Sequence, residues 1–200
     1  VNETEHRSQL YWNASFPFGP PEVTEEQRLS SRLAQLGLNT RDIDSVVCGH
    51  LHFDHAGGLC DVPHADVHVH QRELAAMCEQ ADDAYFHGDF LHGPRWCVHC
   101  GESALDEGVH LVETPGHTAG HMSLLVSLPK GRPVLLCGDA ADLQENLDDE
   151  IPPGLCWHDN ESLAIASIRK LKELGAVLDA ELWPNHDMAF YRAHSSLPGV

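Results

Sequence analysis

Two hundred residues, 42% of them hydrophobic and 22% charged, are enough to bury one core in a single globular domain over 1–200, which excludes a disordered or coiled-coil chain. Twelve Lys and Arg against 31 Asp and Glu leave a net charge of −19, so the surface repels phosphate backbones and anionic lipid, and neither nucleic acid nor a membrane is an expected partner. No apolar run approaches the about 20 residues of a membrane helix, and VNETEHRSQL at the start lacks the basic and apolar parts of a signal peptide. Seven cysteines, an odd number without a secretory signal, point to reduced thiols in a cytoplasm rather than a disulfide framework. Sixteen histidines point to metal, since imidazole is the commonest metal ligand.

Along the chain, residues 11–21 (YWNASFPFGPP) form a Pro/aromatic segment that reads as an ordered arm or pocket wall. Thr24 with Gln27 three residues later is a capping-box pattern, and Leu29, Leu33 and Leu36 recur at helical spacing, so a helix is expected over 24–36, stopped by Gly37. Residues 44–48 (DSVVC) read as a short buried strand, 67–69 as another, and 71–80 as a helix. The stretch 85–107 reads as irregular. Three strands follow at 109–113, 122–128 and 133–137, the last two joined by a Pro-Lys-Gly-Arg turn. Asp159 or Asn160 caps a helix carrying Leu163, Ile168, Leu171 and Leu174, closed by Gly175, and 177–183 reads as a last strand. The expected class is α/β or α+β, with sheets covered by helices.

The densest chemistry is His50-Leu51-His52-Phe53-Asp54-His55, directly after a strand. In extended backbone His50 and His52 project to one side, and a turn at Asp54-His55 brings a third imidazole to the same cation. Further candidate ligands end later strands: His117 in TPGHTAGH, Asp139 in CGDA and His186 in WPNHD. Rigid strands deliver such residues from distant sequence positions to one sheet edge. Nitrogen and carboxylate oxygen together suit zinc first, with iron, cobalt or manganese permitted by geometry. Clustered imidazoles and carboxylates are costly to bury for structural reasons alone.

HLHFDHAGG and TPGHTAGH together resemble the metallo-β-lactamase superfamily, in particular its N-acyl homoserine lactone lactonase branch, from about Asn13 to Asp187. The resemblance implies an αββα sandwich and two divalent ions, zinc first. It places His50, His52 and His117 on the first ion and Asp54, His55 and His186 on the second, with Asp139 bridging. It implies a hydrolase that opens a lactone ring by attack of a metal-bridging hydroxide, with N-acyl homoserine lactones as leading substrates and quorum quenching as the setting. Asp54 or Asp142 is then the proton shuttle. The sequence departs from the branch at Asp142, where a tyrosine usually supplies a hydrogen-bond donor; Tyr11 or Tyr191 is a candidate substitute. It departs also in lacking the first strands, which are expected to be absent from this chain.

Phe53 and Phe16 are the candidate lining of an acyl pocket, ahead of Tyr11, Trp12 and Phe18. His121 is expected behind the ligands rather than among them. Cys97 and Cys100 have CxxC spacing without a second pair, which reads as coincidence in a loop. The acidic run after Asp142, to Glu150, reads as a solvated loop. The same metal core serves thioester hydrolases of the glyoxalase II type, β-lactamases and phosphodiesterases. The aromatic arm favours an apolar acyl group, and the acidic balance disfavours polyanions. A non-catalytic metal-binding remnant is the reading from another class, and the sequence leaves a homodimer open.

Overall fold

A computed structural model describes residues 24–79, 81 and 83–194, and the expectations for Phe16 and the 11–21 arm lie outside the described residues. The chain divides into two compact units, one comprising the described residues up to His68 with Met77–Cys97, the other Val69–Ala76 with the residues from Val98.

The first unit opens with a 3-10 turn, Glu25–Gln27, in which the Thr24 N–H donates to Gln27 Oε1 at 2.8 Å. Helix α1, Leu29–Gln35, begins only after Arg28, whose ψ of 149° breaks the path. The single helix expected over 24–36 is therefore two pieces. Residues 24–28 are all exposed, so no apolar burial holds them on the axis of the Leu33 face, while the Thr24 box and the Arg28–Glu25 ion pair at 2.9 Å complete a local turn. Strand β1, Ser45–Val47, pairs in parallel with β2, Asp66–His70. Between them lies the short helix α2, Phe53–Ala56. Helix α3, Gln71–Cys78, follows β2 without a gap.

Strand β3, Arg95–His99, completes a three-stranded sheet of order β1-β2-β3. Together with β4, Ser103–Asp106, it corrects the expectation of irregular structure over 85–107. Gly and Pro at 88, 93, 94 and 101 mask two short strands whose side chains alternate only weakly between half-buried and exposed.

In the second unit β4, β5 (Val109–Glu113), β6 (Met122–Val126), β7 (Val134–Gly138) and β8 (Glu181–Pro184) form a five-stranded sheet in that order. The pairs are antiparallel up to β7, and β7 with β8 is parallel. A parallel neighbour requires a crossover. Helix α4, Gln144–Asp149, and the long helix α5, Glu161–Leu178, lie in that connection. Asn160, whose side chain accepts the Leu163 N–H, caps α5. Ala164, Ile168, Leu171 and Gly175 recur along one face, and Ile168 and Leu171 join Val112, Leu125 and Leu135 in the core. The helix does not close at Gly175 but runs on to stop at left-handed Asp179; a Cβ on Gly175 would lie 2.5 Å from Leu182 Cδ1, so within the helix the glycine serves close packing and does not end it.

Helix α4 corrects the solvated-loop reading of the acidic run. Leu147 is buried, Asn146 accepts the Leu143 N–H and donates to the carbonyls of Ile151 and Pro152, and Glu150 pairs with Arg169 and Lys172 of α5. A last helix, α6, Met188–Ala193, is capped by Asp187, which accepts the Phe190 N–H at 2.8 Å. Among the described residues no helix is long and apolar enough to cross a membrane.

Candidate metal centre

The first unit supplies four of the expected ligands. Beyond β1 the chain runs through Cys48 and Gly49 to His50, Leu51 and His52, the last three buried. In this non-helical stretch the wholly buried Leu51 anchors the chain in the core, and the imidazoles on either side of it stand with ring centroids 4.6 Å apart. His52 ends the extended run, and the chain turns into α2. That turn brings the ring of His55 to 4.0 Å from that of His50. Asp54 Oδ2 lies 3.4 Å from His55 Nε2. The His52 ring stands edge-on to the buried Tyr85, 4.9 Å away, a contact no local sequence signal announces. Phe53 is half-buried at the start of α2, where its N–H donates to the Ala84 carbonyl.

The second unit supplies the other three. Asp139 follows β7 and is 4% exposed. Its Oδ1 accepts from Asn185 Nδ2 at 2.8 Å, and its Oδ2 lies 3.4 Å from His117 Nε2 and 3.3 Å from His186 Nε2. His117 Nδ1 lies 3.0 Å from the Leu155 carbonyl. A carbonyl only accepts, so that proton sits on Nδ1 and the Nε2 lone pair is left for a cation, the arrangement that orients imidazole ligands. His186 is half-exposed, and its loop is held by backbone bonds from Asn185 N–H to the Ala141 carbonyl and from His186 N–H to the Asp142 carbonyl. Asn185 was read only as part of WPNHD. Its adjacency to His186 was the one available signal.

His121 stands behind the ligands, as expected, and its protons can be placed. Its Nε2 accepts the Asp139 backbone N–H at 3.0 Å, so Nδ1 carries the hydrogen and donates to Thr114 Oγ1 at 2.8 Å. Thr114 then donates to Ser123 Oγ, and Ser123 donates to the Cys137 carbonyl, each at 2.8 Å. All four side-chain positions are buried or nearly so. The chain of donors runs one way, fixes His121 as a neutral imidazole and ties the start of the Asp139 turn to β6.

Asp142 is near the ligands but in a different state. Burial first, and then the negative charge of Asp139, push its carboxyl upward from the ordinary aspartate value, while His117, His186 and the Gly154 N–H pull the other way. Cys97 and Cys100 join no metal-capable group among the described residues. No disulfide joins any of the seven cysteines.

Within the first unit His50, His52, Asp54 and His55 stand together, and within the second His117, Asp139 and His186 do; each is among the residues able to hold a metal ion. Imidazole nitrogens and carboxylate oxygens together are donors for zinc-like divalent cations.

Comparison with known proteins agrees with this geometry. The profile of the metallo-β-lactamase superfamily matches residues 18–186. An N-acyl homoserine lactonase of a Bacillus species is 36% identical over 174 residues, covering 86% of this chain and 68% of the relative. The N-acyl homoserine lactonase AttM of Azorhizobium caulinodans is 29% identical over 202 residues, covering 95% and 72%. Among solved structures, an N-acyl homoserine lactone hydrolase with its product N-hexanoyl-L-homoserine bound at the catalytic metal centre superposes with a TM-score of 0.79 at 30% identity, covering 88% of this chain and 68% of that one. The chain thus spans about two thirds of the length of these relatives.

Proposed function

Because the chain belongs to the metallo-β-lactamase superfamily, with that superfamily's fold and its His and Asp metal-binding groups, we propose that it is a dinuclear, zinc-dependent hydrolase that opens lactone rings, N-acyl homoserine lactones first. The observation that carries this is the gathering of imidazole and carboxylate groups in each unit, His50, His52, Asp54 and His55 in one and His117, Asp139 and His186 in the other. His50, His52 and His117 would hold one ion and Asp54, His55 and His186 the other, with Asp139 as the shared carboxylate. Two divalent cations would supply a water acidified toward neutral pH and a Lewis acid for the carbonyl and leaving oxygens.

The protein's own part is orientation and proton handling. Leu155 fixes which nitrogen of His117 faces the centre, and Asn185 occupies one oxygen of Asp139 so that the other faces the two imidazoles. Asp54 and Asp142 are the carboxylates proposed to hold or pass a proton. Phe53 is proposed to contact the acyl group, together with Phe16. Beside Asp54 and His55 a cavity of about 370 Å³ is walled mostly by apolar side chains, among them Leu29, Leu33, Ile43 and Val62, with Gln27 and Arg32 also in the wall, a lining that suits an acyl group with a polar end. Solved relatives hold N-hexanoyl- and N-decanoyl-L-homoserine, which supports the same substrate class. The reading takes 1–200 as one hydrolase domain, and an odd number of cysteines, seven, favours reduced thiols in a cytoplasmic compartment.

The test is a panel of acyl homoserine lactones, simple lactones, aryl esters, thioesters and phosphodiesters against one zinc-loaded preparation. The proposal expects kcat/KM to be highest for an acyl homoserine lactone. Faster turnover of a thioester or a phosphodiester contradicts the substrate and leaves the metal centre standing.

A further inference from the structure

The loop 116–120 that carries His117 is seated on the first turns of two helices. At one end, a Cβ on Gly116 would lie 2.4 Å from Ala164 Cα in α5; at the other, a Cβ on Gly120 would lie 2.3 Å from the Glu73 nitrogen in α3. Both glycines of TPGHTAGH are thus places where loop backbone touches helix backbone, with no room for a side chain.

Polar contacts differ at the two ends. Toward α5, the loop accepts one backbone bond from the segment before the helix, Trp157 N–H donating to the Gly116 carbonyl at 2.7 Å. Toward α3, the link is a side chain. Glu73 is wholly buried, and its Oε2 accepts both the Thr118 hydroxyl at 2.7 Å and the Gly120 N–H at 3.1 Å. Thr118 is also wholly buried. A carboxylate is placed in the interior only where donors meet it, because the desolvation cost is otherwise unrecovered. Here the donors come from the residue after a candidate metal ligand and from two positions further on.

We propose that Glu73 is a positioning residue of the metal centre: its buried carboxylate grips the loop at Thr118 and Gly120 and so holds His117 at the orientation in which Nε2 faces Asp139. This rests on the metal-centre reading above. Leu155 sets the tautomer and rotation of the His117 ring, and Glu73 sets the backbone from which the ring hangs. Supports of this kind change metal affinity by about 10–100-fold when removed.

The experiment titrates Co²⁺ into chelator-treated protein and follows its visible absorption for wild type, Thr118→Val, Thr118→Ser and Glu73→Ala, with melting curves of each metal-free protein. Thr118→Val keeps the shape and removes the hydroxyl, and is expected to weaken the ion that uses His117 by about 10–100-fold and to alter its absorption band. Thr118→Ser, which restores the donor, is expected to stay within about 3-fold of wild type. If Glu73→Ala does not fold, Thr118→Val decides. Lowered metal-free melting with unchanged cobalt affinity and spectrum means a merely structural role and overturns the inference. Wild type that holds no cobalt overturns the inference and the metal centre together. Weakened cobalt binding in Thr118→Val supports the inference even if no lactone is hydrolysed, an outcome that strikes only the proposed substrate.

Discussion

At the scale of the residue, Asp142 is the position where the resemblance leads one to expect a tyrosine. Burial and the charge of Asp139 push its carboxyl upward, but bound divalent cations would favour the ionised form, which accepts a hydrogen bond and does not donate one. Asp142→Asn is expected to leave kcat/KM within a few-fold. A fall in kcat of about 10²-fold at unchanged metal content would show that the carboxyl transfers a proton. The thiols give a second residue-scale prediction. Burial pushes Cys137 up to about 12 from 9.0, so an alkylating reagent near pH 8 is expected to label the exposed Cys78 and Cys100 and to spare Cys137. A thiol whose folded value is raised contributes stability that is present below the unfolded value near 9 and is lost as pH rises toward about 12. The stability gap between wild type and Cys137→Ala should therefore narrow between pH 8 and pH 11, as read from urea midpoints; a constant gap contradicts it.

At the scale of the element, what the sequence made legible was local. HLHFDH follows a strand, and its His50-His52 spacing alone places two imidazoles together. TPGH, CGDA and WPNHD each end or follow apolar runs that became strands. The core helix α5 was legible because Ile168 and Leu171 repeat at helical spacing, and both are wholly buried. Leu171→Ala should cost about 2–5 kcal/mol in urea unfolding, the range for emptying a buried leucine site. A cost under about 1 kcal/mol would mean that the α5 face is not the core contact described. The hidden parts depend on partners far away in sequence. Glu73 meets Thr118 across 45 residues and Asn185 meets Asp139 across 46, and no spacing rule links such pairs. Helix α4 was hidden differently, because its acidic composition resembles a solvated loop, and what holds it is one buried leucine and the bonds of Asn146.

At the scale of the whole molecule, the ligand groups should couple metal to folding. In each unit carboxylates and imidazoles stand within a few ångströms of one another, and their burial costs hydration that bound cations would offset. Removing metal with a chelator is expected to lower the melting temperature, and restoring zinc to recover it; an unchanged curve after verified metal loss contradicts the coupling. Metal-dependent lactone opening is measured as proton release on adding N-decanoyl homoserine lactone to the purified protein, first zinc-loaded, then chelated, then reloaded. Steady acid release that stops on chelation and returns with zinc is the expected result. Release that persists without metal, or none from a preparation holding two zinc ions per chain, would contradict it.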